Sequence, residues 1–275
     1  MATNVDLRKC RFVVLLAISA LVFSSCGDSD SGPPYEVVTE VISHETTQEI
    51  AVFSPDAEGT WPVVFTFHGS TNTWEDMEET SSRIAQQGMV VISPTYRTEP
   101  PAVLADSEQD AECAYRFGRT IAADYGGDIE RPITIVGHSL GATVAIEHGL
   151  QEAAFGPGGT YDTCFTGAPR PDVIVGITGC YYRNGFNLQR YENLDATLAF
   201  IGATDDENCD ITESERANRV LEDAGYDAGL FVVSANHFTP IFHDMIDEQW
   251  VVVPDAPAGE QTVQIIVDAI TEADA

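Results

Sequence analysis

The stretch that decides the fold is residues 132–143, with the sequence PITIVGHSLGAT. Its first half is apolar and β-branched, which predicts a short buried strand. Small and aliphatic residues follow at helical spacing, and they predict a helix that runs to about residue 152. Between strand and helix lies Gly-x-Ser-x-Gly, centred on Ser139. In this context the pattern predicts a tight, strained turn that holds the serine hydroxyl above the sheet; the alternative is a glycine-flanked turn with a surface serine.

Strand and helix patterns alternate along most of the chain. Strands are predicted at residues 35–43, 49–53, 62–67, 89–93, 132–138, 173–177, 197–201 and 229–234. Helices are predicted at residues 74–87, 106–125, 140–152, 212–224 and 261–271, with Thr212 as the N-cap of the fourth. This alternation predicts an α/β fold with a mostly parallel sheet, helices on both faces and an antiparallel opening pair at one edge. Residues 155–171 are turn-rich and are expected to form a surface insertion, so that any cap over the sheet is small or absent.

The chain is strongly acidic. Its 44 Asp and Glu residues outnumber 13 Lys and Arg residues, and the formal net charge is −31. Such a surface repels the phosphates of nucleic acids and the head groups of anionic membranes. Nucleic acid is therefore excluded as a partner, and a membrane is expected to be contacted only through a lipid attached near the N-terminus.

The N-terminal residues resemble an export signal. A basic segment precedes an apolar run at residues 12–23, which is too short for a comfortable membrane span. Residues 1–25 are predicted to be a signal peptide of the lipoprotein type, with Cys26 as the lipidated first residue of the mature chain; ordinary cleavage nearby is the alternative. Residues 26–34 are predicted to form a flexible tether and residues 35–275 one domain. The protein is therefore expected to be exported, as a cell-envelope lipoprotein or a secreted protein.

The cysteines beyond the leader are Cys113, Cys164, Cys180 and Cys209. An even number in an exported chain predicts two disulfides, for which three pairings are possible. Cys180 and Cys209 each follow one of two consecutive predicted strands, and consecutive strands usually lie side by side. The preferred pairing is therefore Cys180–Cys209 with Cys113–Cys164. No Cys and His spacing suggests zinc, and neither a metal nor a cofactor is expected.

A serine at such a turn needs a base and an acid to become reactive. A hydroxyl is a poor nucleophile at neutral pH, so a histidine must accept its proton and a carboxylate must orient that histidine. In a fold of this kind the chain order is serine, acid, histidine, which leaves His237 and His243 as candidate bases. His237 is preferred, because it lies in the loop directly after the predicted strand at residues 229–234. His243 is expected in a helix or an ordered loop, where it packs or lines the site.

The acid has two neighbouring candidates, Asp205 and Asp206. Counting three residues from Gly202 selects Asp205. The commoner pattern of Asp, two variable residues and a small apolar residue selects Asp206, with Cys209 in the apolar place. Asp206 is preferred and Asp205 stays the alternative. A bridge from Cys209 to Cys180 would hold this loop in place.

Acyl transfer through a serine also needs two donors for the oxyanion that develops. One is expected to be the backbone N–H of Leu140, directly after Ser139. The other is expected from the turn at His68, Gly69 and Ser70, through the N–H of Ser70. His68 is expected to orient this turn rather than to act as a base.

Together these residues resemble the α/β-hydrolase family, in particular its esterases and its dienelactone-hydrolase-like members. The motifs that carry the resemblance are FHG at 67–69, YR at 96–97, YGGD at 125–128, GHSLG at 137–141 and NHF at 236–238. The resemblance covers essentially all of residues 35–275. Dienelactone hydrolases proper have a cysteine nucleophile where this chain has Ser139. The loop at residues 235–240 is also similar to the histidine loop of bacterial cutinase-like polyester hydrolases.

The resemblance implies an α/β-hydrolase fold and hydrolysis of carboxylic esters, of a small molecule or a polymer, through an acyl-enzyme. It implies that Ser139 attacks, that His237 takes its proton and that no cofactor takes part. A lipase or polyester hydrolase, a thioesterase or a peptidase would use the same triad, and a non-catalytic surface lipoprotein with this fold is the remaining alternative.

Overall fold

Strands and helices alternate in the computed structural model, as the sequence predicts. The described residues are 35–44, 48–70, 72–98, 104–151, 168–183, 191–193, 195–247 and 249–275. Within them the strands are β1 (Val37–His44), β2 (Gln48–Pro55), β3 (Val63–Phe67), β4 (Val90–Pro94), β5 (Thr134–His138), β6 (Val173–Ile177), β7 (Thr197–Ala203), β8 (Asp227–Val233), β9 (His243–Ile246) and β10 (Gln249–Val252). The helices are α1 (Glu78–Ala85), α2 (Leu104–Ile121), α3 (Leu140–Leu150), α4 (Ile211–Asp223) and α5 (Pro257–Ala273), with short 3₁₀ helices at Trp74–Met77, Ala122–Tyr125 and Thr239–Ile241.

Several features predicted from the sequence lie outside the described residues. They are the signal peptide, Cys26, the tether, Cys164 and most of the insertion at residues 155–171. The domain boundaries, the lipid attachment and the size of any cap therefore stay predictions.

The first eight strands form one sheet in the order β1-β2-β4-β3-β5-β6-β7-β8. β2 is antiparallel to both of its neighbours, β1 and β4, whereas the other neighbouring pairs are parallel. The predicted parallel sheet with an antiparallel pair at one edge is therefore confirmed. Because the carboxyl ends of parallel strands meet at one edge of a sheet, the loops after β3, β5, β6, β7 and β8 lie together.

Helices cover both faces of this sheet, as predicted. The strands are buried on both sides, so their consecutive residues enter two different cores. One core joins strand residues such as Phe65 to α2, α3 and α4, with Tyr115 and Leu221 among the buried side chains. The other joins strand residues such as Val64 to α1 and α5, including Ile266.

The prediction that Thr212 caps the fourth helix is wrong. α4 begins at Ile211, and the residue before it, Asp210, is the N-cap. An Asp210 carboxylate oxygen accepts the backbone N–H of Thr212 at 2.9 Å. Both residue types are good caps, and the carboxylate also suits the positive end of the helix dipole.

Residues 243–252 form a β-hairpin that the sequence analysis did not predict. His243 was expected in a helix or an ordered loop, but it begins β9, which pairs with β10 in an antiparallel ribbon. Met245 lies opposite Trp250, and Val252 lies opposite His243. The N–H of Val253 donates to Phe242 O at 2.7 Å, which closes the base of the hairpin.

The preferred disulfide between Cys180 and Cys209 is present and joins residues 29 positions apart. Cys113 is also disulfide-bonded. Its pairing with Cys164 stays a prediction, because Cys164 lies outside the described residues. None of the helices in the described part of the chain is both long and apolar enough to cross a membrane.

Candidate active site

Ser139 occupies a strained turn between β5 and α3. Its φ of 56° and ψ of −116° lie in a region that side chains rarely adopt, and such strain is typical of functional turns. The turn is possible only because its neighbours lack side chains. A Cβ on Gly137 would lie 2.0 Å from the carbonyl oxygen of Gly141, and one on Gly141 would lie 2.2 Å from that of Phe67. The two glycines of the motif are therefore sterically required.

The structure brings His237 and Asp206 together. His237 Nδ1 lies 2.7 Å from Asp206 Oδ2, and both side chains are buried. The other oxygen of Asp206 accepts the backbone N–H groups of Asn208 and Cys209, each at 2.8 Å. Asp205 is exposed, and its side chain accepts a hydrogen bond from the neighbouring Thr204 hydroxyl at 3.1 Å. The loop geometry thus selects Asp206, the preferred of the two candidates, as the partner of His237.

The hydrogen bond to Asp206 determines which nitrogen of His237 is free to act. A carboxylate can only accept, so Nδ1 carries the proton and Nε2 is left as an acceptor. His243 has a different role, because its Nδ1 lies 3.0 Å from Ile241 O and its ring stacks on Trp250 at 4.9 Å. It is a packing residue of the hairpin.

Ser139 and His237 line one cavity of about 460 Å³ at the carboxyl edge of the sheet. The cavity is lined by Gly69, Ser70, Asn72, His138, Ser139, Cys180, Arg183, Asn208, Cys209, His237, Phe238, Met245 and Trp250. These residues come from the loops after β3, β5, β6, β7 and β8 and from the β9–β10 hairpin. The described residues contain no cluster of three His, Cys, Asp or Glu side chains that could hold a metal ion.

The turn after β3 is held by His68. Its Nδ1–H donates to Gly69 O at 2.8 Å, and its Nε2 accepts the N–H of Tyr96 at 3.2 Å. The rings of His68 and Tyr96 stack at 4.2 Å, and the Tyr96 hydroxyl donates to His68 O. Ser70, the expected oxyanion donor, lines the cavity beside Ser139.

Leu140, which carries the other expected donor, is the first residue of α3. The N–H groups of a first helical turn have no partner inside the helix, and the helix dipole favours negative charge there. Leu140 thus directly follows Ser139 in the chain, and Ser70 lines the same cavity as Ser139.

His138 and Thr178 are functional residues that the sequence reasoning missed. His138 Nε2 lies 2.9 Å from His237 O, and the Thr178 hydroxyl donates to the same oxygen at 3.2 Å. Burial lowers the pKa of His138 well below its ordinary value, so the ring is neutral. The two side chains hold the backbone of His237 next to the Ser139 turn. His138 and His237 are 99 positions apart in the chain, so no local pattern signals this contact.

A second missed feature is the apolar part of the cavity wall. Phe238 packs edge-to-face on Trp250 at 4.6 Å, and the Trp250 Nε1–H donates to Asp76 at 3.0 Å. Met245, on the neighbouring strand of the hairpin, is 52% exposed and continues this surface. The hairpin therefore supplies much of the apolar lining beside His237.

Comparison with known proteins gives matches to part of the sequence. The BD-FAE family model matches residues 50–170, which is less than half of the chain. A neuroligin-like protein of Caenorhabditis elegans is 35% identical over 104 residues, and a probable isoprenylcysteine alpha-carbonyl methylesterase of Oryza sativa subsp. japonica is 34% identical over 103. These matches take in 33% and 36% of this chain, but the chain spans only 14% and 23% of the two relatives.

Among solved structures, an esterase of the planctomycete Thermogutta terrifontis with bound propionate superposes with a TM-score of 0.66. The match covers 87% of this chain and 94% of that one at 17% identity. The chain has the α/β-hydrolase fold. The resemblance drawn from the sequence motifs is thus confirmed at the level of the fold.

The site residues are divided between the segment that the family model matches and the part of the chain that follows it. The segment matched by the family model contains the His68 turn and the Ser139 elbow. Asp206 and His237 lie beyond it, after the strands that complete the sheet. The two parts meet at the cavity, where His138 of the first contacts His237 of the second.

Acidification is expected to destabilise this protein through His68. Burial lowers its pKa from an ordinary 6.5 to about 4. Between these values the unfolded chain binds a proton that the folded chain does not, so stability falls with decreasing pH, by roughly 3 kcal/mol over the window. In His68→Gln the free energy of unfolding should fall less between about pH 7 and about pH 5, as measured by urea denaturation. An identical pH dependence in the two proteins would contradict this role of His68.

Loss of the Cys180–Cys209 disulfide is expected to lower both stability and any activity. Cys209 donates to Asp206, so the bridge holds the loop that orients His237. The Cys180→Ser, Cys209→Ser double variant should lose about 2–4 kcal/mol of unfolding free energy and show a reduced kcat. The matched control is Cys113→Ser, which should lower stability without changing kcat at a temperature where both variants are folded. An unchanged kcat in the double variant would show that the loop keeps its geometry unaided.

Proposed function

We propose that the protein is a serine hydrolase that cleaves carboxylic esters, with Ser139 as nucleophile, His237 as base and Asp206 as the acid that orients it. The observation that carries this proposal is the buried 2.7 Å contact between His237 and Asp206 beside a strained serine turn, at one cavity. The names of the similar esterase structure and of the methylesterase relative support the same chemistry.

The proposed reaction has two steps. Ser139 attacks the ester carbonyl while its proton passes to His237 Nε2, and Asp206 stabilises the imidazolium that results. The N–H groups of Ser70 and Leu140 stabilise the oxyanion, and the alcohol leaves with the proton from His237. Water, activated by His237 in its turn, then hydrolyses the acyl-enzyme and restores the serine.

Ser139→Ala is expected to abolish ester hydrolysis. It should also abolish covalent labelling by a fluorophosphonate probe. Removing the nucleophile of such a triad lowers kcat about a million-fold, because base and acid then have nothing to activate. The measurement is labelling of the purified protein, together with rates on para-nitrophenyl esters of increasing chain length. The matched control is Ser43→Ala, an exposed serine on the edge strand β1.

The outcome that would overturn the proposal is a wild-type protein that neither reacts with the probe nor hydrolyses any ester, which is the behaviour of a non-catalytic binding protein. Labelling that survives in Ser139→Ala would instead assign the reaction to another serine. Thioesters, peptide amides and polyester film in the same panel separate the esterase from the other acyl hydrolases that share this triad.

A further inference from the structure

The cavity at Ser139 contains an unexpected charge. Histidines aside, Arg183 is the one ionisable side chain with a formal charge among the described residues that line it. The chain carries a formal net charge of −31, so a cation at this position runs against the composition of the protein as a whole. The charge of the cavity wall therefore calls for a separate explanation.

Several arginines of the described residues pair with carboxylates, and Arg183 does not. Arg83, Arg97 and Arg131 each contact a carboxylate within 3.1 Å. Arg183 makes one hydrogen bond, from its guanidinium to Asn208 O at 3.1 Å, and no carboxylate of the described residues pairs with it. This bond orients the side chain and leaves donors of the planar guanidinium unused.

The position of Arg183 relates it directly to the proposed reaction. Asn208, which holds the guanidinium, donates its N–H to Asp206 and itself lines the cavity. The Cys180–Cys209 disulfide, also in the wall, joins the segment of Arg183 to the same loop. The guanidinium is thus hydrogen-bonded to the loop that positions His237, and Arg183 forms an exposed part of the cavity wall.

We propose that Arg183 forms a carboxylate subsite, and that the substrates are esters bearing a free carboxylate elsewhere in the molecule, such as a half-ester of a dicarboxylic acid or the ester of a hydroxy acid. This inference rests on the proposed ester hydrolysis. A guanidinium matches a carboxylate through two parallel hydrogen bonds. A single cation in a strongly acidic protein suits one negative charge and is too little for a phosphate dianion.

The acidic surface does not prevent such recognition. At physiological ionic strength, charges more than about 8 Å apart in solvent are largely screened, whereas a hydrogen-bonded contact is not. The remaining lining complements the anion, because Phe238, Met245 and Trp250 accept the apolar part of the ester. The cavity is therefore suited to a substrate with one charged group and one apolar group.

The test compares matched esters that differ in one charge. One pair has the charge in the acyl half: para-nitrophenyl hydrogen adipate and its methyl ester. The other has it in the alcohol half: para-acetoxybenzoate and its methyl ester. For each pair the ratio of kcat/KM for the anionic and the neutral member is measured in wild type, Arg183→Gln, Arg183→Lys and Arg219→Gln. Arg219 is an exposed residue of α4 outside the cavity, so its substitution makes the same change in net charge.

Arg183→Gln should lower the ratio about tenfold in at least one pair, through a higher KM for the anionic ester, whereas kcat/KM for the neutral ester should change much less. Arg183→Lys should give an intermediate ratio, because an ammonium keeps the charge without the two-pronged geometry. Arg219→Gln should give the wild-type ratio.

Unchanged ratios in both pairs would overturn the subsite. An equal loss on anionic and neutral esters would overturn it too, since it would mean that Arg183 only positions the Asp206 loop. If the wild type hydrolyses neither member of either pair and is not labelled by a fluorophosphonate, the proposed function itself fails.

Discussion

Asp206→Asn is expected to lower kcat on an ester about ten-thousand-fold, whereas Asp205→Asn leaves it nearly unchanged. Asp206 accepts the Nδ1 proton of His237 at 2.7 Å and so keeps Nε2 free to take the proton of Ser139. An amide at this position can donate to Nδ1, which favours the opposite tautomer and removes the base. Asp205 is exposed and has no such contact. The measurement is kcat for a para-nitrophenyl ester in the wild type, in Asp206→Asn and in Asp205→Asn.

The adjacent residue is a demanding control for this prediction. Both variants remove one negative charge from the same loop, so long-range electrostatics and expression should be affected alike. Thermal unfolding of both variants separates a lost base from a lost fold, because Asp206 also accepts two backbone N–H groups. Equal rates for the two variants would mean that the contact seen with His237 does not serve the reaction, and a loss confined to Asp205→Asn would reassign the acid.

Gly137→Ala is expected to destabilise the fold by more than about 4 kcal/mol, which for a domain of this kind means loss of soluble protein. The added methyl group would lie 2.0 Å from Gly141 O and 2.3 Å from Gly141 C, both backbone atoms that cannot rotate away. Relief would require β5 and α3 to separate, and β5 lies inside the sheet between β3 and β6. The free energy of unfolding in urea measures the effect, and recovery in the soluble fraction measures it where the variant does not fold.

Gly229→Ala is the matched control. It also adds one methyl group to a glycine of a strand, but the nearest atom, in the side chain of Phe231, is 3.5 Å away. The same substitution should therefore cost less than about 1 kcal/mol there, or stabilise the edge strand slightly. A Gly137→Ala protein with wild-type stability would show that the elbow can open without cost, which would contradict the steric account of the motif.

The sheet and the elbow could be predicted from the sequence because their signals are local. Buried parallel strands are rich in β-branched residues, as at residues 133–136, and the glycine pattern fixes the turn that follows. Chain order then leaves His237 and His243 as candidate bases, and the strand that directly precedes His237 favours it. The antiparallel edge formed by β1 and β2 was similarly visible in the alternation of its residues.

The sequence predicts the sheet and the Ser139 turn more clearly than it distinguishes Asp205 from Asp206 as the acid. Neighbouring side chains in a loop point in different directions, and which one reaches His237 depends on how the loop closes. That closure is made by the N–H groups of Asn208 and Cys209, which wrap around Asp206, and by the bridge to Cys180. Spacing favoured Asp206 only slightly, whereas the hydrogen bonds of the loop select it.

The β9–β10 hairpin was missed for a related reason. The sequence between β9 and β10 contains neither Asn-Gly nor Asp-Gly, and Asp247, directly after β9, adopts a φ of 51°. Without that signal, the apolar residues on either side suggest a helix or a packed loop equally well. The hairpin forms because Trp250 finds partners far along the chain, in Asp76 and Phe238, which a local pattern cannot show.

The two strands of this hairpin come together at its base, where Val252 lies opposite His243. Trp250 also joins the hairpin to the body of the protein through Asp76 and Phe238. His237 precedes the hairpin in the chain, and α5 follows it. The apolar lining that the hairpin supplies therefore comes from a part of the sequence separate from Ser139, Asp206 and His237. We expect substitutions at Met245, which is 52% exposed, to alter this lining and to keep the contact between His237 and Asp206.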